Sequence, residues 1–173
     1  MRFGVRNDRV NLQSMFQLDM FNLLYSVNST DIIQNMQMQI TQDGRAADIT
    51  MLFYPLFKDC GVPQYYMNLG TRPDTTATET TYSMTMRQEN NTAPTMQEGA
   101  RSVPKQEGVR RAPKPMPITN IDIRVEFLTP TSATCHLSVA MDPNVRPIPQ
   151  QDKMVTVIFK KMFGRLKEFI ERA

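Results

Sequence analysis

The chain has 173 residues, 40% hydrophobic and 21% charged, with a formal net charge of +3. That length buries roughly 70% of the surface its unfolded form exposes, enough for one ordinary core and cramped for two full domains. So small a charge permits an acidic partner without demanding one, and no run reaches the ~18–20 apolar residues of a membrane span.

Leu12, Phe16, Met20, Leu23 and Val27 recur at helical spacing, which predicts an apolar-faced helix over residues 11–27. The polar cluster Asn28-Ser29-Thr30-Asp31 should end it. Residues 32–41 fit two periods: Ile32, Ile33, Met36 and Ile40 suit a helix, while Met36, Met38 and Ile40 suit a strand. Asp43-Gly44 marks a turn. The apolar run Ile49 to Phe57 is interrupted by Pro55, so a helix there would end or kink early.

From Thr71 to Pro117 the composition shifts to Thr, Gln, Asn, Pro and Gly, with six prolines. Such a segment buries too little apolar area to offset its own ordering, which predicts an extended arm, with one strand at Tyr82, Met84 and Met86. Next comes the clearest pattern in the chain. Ile121, Ile123, Val125 and Phe127 alternate with polar neighbours, and Cys135, Leu137, Val139 and Met141 do the same after Thr129-Pro130-Thr131-Ser132. A period of two on both sides of a turn predicts a β-hairpin with one buried face. Val155, Val157 and Phe159 alternate and suggest a further strand, after which Phe159, Met162, Phe163, Leu166, Phe169 and Ile170 share one face of a C-terminal helix.

The expected fold is therefore a single α+β domain. Its parts are a helical portion over 1–70, a Pro/Thr/Gln-rich arm over 71–117, a small antiparallel sheet over 118–159 and an amphipathic helix over 160–173.

Chemistry is hard to find. The single histidine, His136, falls on the outward face of a predicted strand with no acidic residue to orient it. The carboxylates are scattered, and no phosphate-binding loop, dinucleotide fingerprint, zinc spacing or nucleophile elbow occurs. No catalytic residue, cofactor, metal or small-molecule substrate is expected. Cys60 and Cys135 are too few and too far apart for a disulfide framework or zinc site, and no secretory signal is read at the N-terminus. The expected setting is reducing and soluble, in the cytoplasm or within an assembled particle. The 14 methionines suit an irregular core.

Two segments remain as contact devices. Arg101, Lys105, Arg110, Arg111 and Lys114 are candidate phosphate contacts, although no aromatic residue lies between positions 83 and 126 to stack a base. The apolar face Phe159, Met162, Phe163, Leu166, Phe169 and Ile170 is the candidate partner-binding surface, because a helix of about 14 residues must dock on something to persist.

Three stretches resemble the small baseplate wedge protein of contractile phage tails and type VI secretion: Leu18 to Ser26, Phe53 to Pro63, and the hairpin Ile121 to Asp142 with Val155 to Phe159 after it. The family's Glu-Pro-Arg signature is replaced by Pro115-Met116-Pro117-Ile118. The resemblance implies a non-enzymatic structural subunit whose partners are other proteins of a large complex. The alternative reading is a peripheral accessory protein that binds nucleic acid or anionic membrane through the basic arm and helix.

Overall fold

Apolar alternation extends far beyond the predicted hairpin, and it builds most of the molecule. The computed structural model describes residues 1–56, 62–87, 112–145 and 151–173. The elements are β1 (Arg2–Arg6), α1 (Leu12–Met15), α2 (Met20–Asn28), β2 (Ile33–Ile40), β3 (Ala47–Phe53), β4 (Tyr65–Thr75), β5 (Glu79–Met86), β6 (Lys114–Pro115), β7 (Ile118–Thr129), β8 (Ser132–Met141) and α3 (Gln151–Arg172). Seven strands form an antiparallel path in the order β1-β8-β7-β5-β4-β3-β2, and β6 pairs parallel with β4. The sheet thus has eight strands and is larger than the small sheet the pattern suggested. Its inner face and the apolar face of α3 form one core. No helix among the described residues is long and apolar enough to cross a membrane.

The predicted hairpin is present as β7 and β8, with Ile121 opposite Val139, Ile123 opposite Leu137 and Val125 opposite Cys135. The single helix expected over 11–27 is instead two short ones, because its two halves dock in different places. Leu12 donates its N–H to Pro130 at the β7–β8 turn, and the Phe16 ring lies 6.3 Å from Phe127. Phe21, by contrast, meets the ring of Tyr82 edge-on at 5.7 Å over the middle of the sheet. Asn11 caps α1 by accepting from the Gln13 N–H.

Residues 33–40 resolve as a strand, since the turn at Thr41–Ala46 folds them back on β3. Gly44 sits there at φ 68°, a left-handed conformation that glycine adopts without steric cost. The run from Ile49 is a strand ending at Phe53; Ile49, Met51 and Phe53 line its inner face, and the buried Leu52 breaks the polar alternation that Asp48 and Thr50 set on the other. Residues 1–70 therefore hold more strand than helix, and the expectation of a helical N-terminal part is corrected to α1 and α2 between strands.

The arm expected over 71–117 needs the same correction at both ends, although the strand expected at Tyr82, Met84 and Met86 is present within β5. Thr71–Thr75 and Glu79–Met86 lie in β4 and β5, joined by a turn in which Glu79 N–H donates to Thr76 Oγ1. β-Branched threonines suit the pleated, half-buried surface of strands as well as they suit a linker. Lys114–Pro115 forms β6, and residues 88–111 lie outside the described residues.

Gly70, on the outer face of β4, lets the Arg87 guanidinium cross to Asp48 on β3 at 2.7 Å; an added Cβ would come within 2.8 Å of Arg87 Nε.

The strand predicted at Val155–Phe159 is the second turn of α3. Val155, Ile158, Phe159, Met162, Phe163, Leu166 and Ile170 are buried at a period of 3.6, whereas Val157, which a strand would have buried, is 52% exposed. The sheet thus ends at Met141, and the last element runs from Gln151 to Arg172.

Candidate functional site

The two apolar surfaces that form the core do not close against each other everywhere. Period-two alternation turns Leu137, Val139 and Met141 of β8 toward α3. The helix presents Val155 and Phe159, one turn apart, with Asp152, Thr156 and Lys160 along the neighbouring row. Between them lies a half-enclosed groove of about 280 Å³, also lined by Met1 and Ser138. That volume lies just below the ~300–1,000 Å³ usual for small-molecule sites. Its walls are apolar and its rim is polar. Thr156 Oγ1 donates to the Asp152 carbonyl at 2.8 Å, and Lys160 makes no ion pair among the described residues.

Leu137 begins a row that continues inward. It pairs with Ile123 of β7, which pairs with Tyr82 of β5, and all three side chains face the core. Tyr82 has no exposed surface, and its hydroxyl finds no hydrogen-bond partner among the described residues. Thr71 Oγ1, on the same face of β4, is also without one. A buried hydroxyl left unpaired costs about 1–3 kcal/mol, so two on one inner face call for a physical explanation. Burial raises the Tyr82 hydroxyl pKa above its usual range and pushes the Cys135 thiol up to about 12.

The rest of α3 is held firmly. Asp31, between α2 and β2, accepts from Lys161 at 2.8 Å and from both terminal nitrogens of Arg165. Hydrogen bonds from Arg165 and then Lys161 hold its carboxyl well below the usual carboxylate range. Asn28 donates to the Met162 carbonyl, and Asn7 to that of Ile170. At the other end, Gln151 donates to the Tyr65 hydroxyl at 2.7 Å.

The expected contact devices fare differently. Of the candidate partner-binding residues, Phe159, Met162, Phe163, Leu166 and Ile170 are buried in the chain's own core, and Phe169 alone is exposed. The helix docks in cis, which satisfies its apolar face without a partner. Arg101, Lys105, Arg110 and Arg111 lie outside the described residues, and Lys114 is exposed on β6. His136 faces outward beside Glu126, with Nε2 3.7 Å from its carboxylate, and Arg124 bonds both Glu79 and Glu126. This is a surface charge network. Of the groove residues, Phe159 alone is among the expected contact residues; the other apolar ones and Tyr82 read as ordinary core in a single strand or helix, and the polar ones as ordinary surface.

No family model matches the chain, and no curated protein matches it. Solved structures do. The human StarD13 (DLC2) lipid transfer and protein localization domain superposes with a TM-score of 0.62 at 9% identity, covering 99% of this chain and 76% of that one. Human STARD10 superposes with a TM-score of 0.59 at 8% identity, covering 98% of this chain, which spans only 61% of that structure.

This likeness overturns the baseplate reading and its implications: a virion or secretion-apparatus subunit, with protein partners only and no small molecule. The nucleic-acid or membrane accessory alternative is not supported by this likeness either. Of the groups it required, Lys160 and Lys161 are exposed on α3 and Lys114 on β6, and the rest of the basic arm lies outside the described residues. The chain has the helix-grip arrangement, a long C-terminal helix laid across an antiparallel sheet, that it shares with the StarD13 domain and STARD10.

Proposed function

We propose that this chain binds an apolar small molecule of lipid type in the groove between β8 and α3. The observation that carries the reading is the separation of two apolar walls, Leu137, Val139 and Met141 against Val155 and Phe159, where tight packing would close them. The fold likeness to a lipid transfer domain supports it. Asp152, Thr156 and Lys160 at the rim suit a polar headgroup at the mouth. The role is binding and release, with no chemical step.

The test is titration with a dansylated fatty acid, together with mass spectrometry of an organic extract of the purified protein. Saturable binding is expected, and Val139→Trp, which fills the groove from a half-buried position, should weaken it at least about tenfold while the melting temperature holds. Absence of both saturable binding and extractable lipid would overturn the proposal.

A further inference from the structure

We infer that the ligand path continues from the groove across Leu137 and Ile123 to Tyr82, and that the ligand carries a hydrogen-bonding group at its buried end. The inference rests on the groove reading and narrows its ligand class. The register gives the direction. Leu137, Ile123 and Tyr82 stand side by side on β8, β7 and β5, so two strand spacings, about 10 Å, separate the groove wall from the tyrosine. A plain alkyl chain reaching that point would leave the Tyr82 hydroxyl as unsatisfied as it is without a ligand.

A second hydroxyl marks the same end. Thr71 pairs with Met84 and Pro73 pairs with Tyr82, so Thr71 is the diagonal neighbour of Tyr82 across β4 and β5. Such neighbours lie about 7–8 Å apart, near enough for one oxygen-bearing group to sit between their side chains. Both are buried, Tyr82 at 0% and Thr71 at 4% exposure, and both oxygens lack a partner among the described residues. Phe21 covers the tyrosine ring from the α2 side. A polar pair at the end of an apolar row selects a hydroxylated or keto-bearing apolar molecule over a saturated hydrocarbon tail. A buried water is the competing occupant of this position.

Calorimetric titration with lauric acid and with its ω-hydroxy derivative separates these cases. Tyr82→Phe removes only the hydroxyl and should fold as well as the parent. It is expected to weaken binding of the ω-hydroxy acid about tenfold while leaving lauric acid within about twofold. Thr71→Val should shift the same ratio in the same direction by less. Lauric acid binding with no ω-hydroxy binding, or a ratio unchanged by both variants, overturns this inference and leaves the groove reading standing. If neither acid binds the parent protein, this inference fails, and the groove reading is decided by the dansylated probe and the lipid extract.

Discussion

The two halves of α3 face the same sheet and are held in different ways. From Lys161 onward the helix is fastened by Asp31, Asn28 and Asn7, and its buried residues Met162, Phe163, Leu166 and Ile170 pack into the core. Before Lys161 it stands off from β8 far enough to leave the groove, although Gln151 is tied to Tyr65 on the other side. Apolar composition alone does not decide where a helix and sheet close. Polar anchors fix one end, and the unfastened flank keeps its space.

That contrast can be broken first at the tight end. Phe163→Ala should destabilise the fold by about 3–5 kcal/mol in chemical denaturation, because Phe163 is 3% exposed and its ring lies 6.4 Å from that of Phe3 and 6.5 Å from that of Phe159. A loss under 1 kcal/mol would mean this end is no tighter than the other.

Asp31→Asn should cost less, about 1 kcal/mol, since the carboxylate is 39% exposed and solvent screens its ion pairs. The effect should depend on pH. The native carboxyl pKa is depressed, so its contribution is full above the unfolded value of about 4 and fades as pH falls below it toward the native value. Stability curves of parent and variant should therefore converge in acid; parallel curves would exclude a stabilising role for the Asp31 ion pairs. Smallest of all, Val157→Lys on the exposed side of α3 should stay within about 0.5 kcal/mol. A large loss would revive the strand reading of this segment.

What the sequence showed depended on how each element is covered. β7 and β8 have one wet face, so Ile121 to Met141 alternated visibly. β3 carries the buried Leu52 between Met51 and Phe53, so from Ile49 it resembles a generic apolar run. Val155 and Phe159 satisfy both a period of two and an i,i+4 helical pair; only the exposure of Val157 separates the two, and exposure is a property of the fold. Tyr82, Met84 and Met86 alternate legibly and lie in β5, whereas Thr71 to Thr81 reads as an arm because threonine-rich strands share the composition of linkers. The baseplate resemblance rested on short stretches, one of which, Phe53 to Pro63, partly lies outside the described residues. The groove was not legible because it is a gap between β8 and α3. The partnerless state of Tyr82 becomes visible only once its neighbours are in place.

Cys135 lies on the inner face of β8, 2% exposed, with its thiol kept protonated at neutral pH. A sulfur in that position is chemically silent while the sheet and its covering layer stay together. Electrophiles from solution can reach it only during a breathing event, so its slow consumption by an alkylating agent would act as a clock for the parting of β8 from the layer above it.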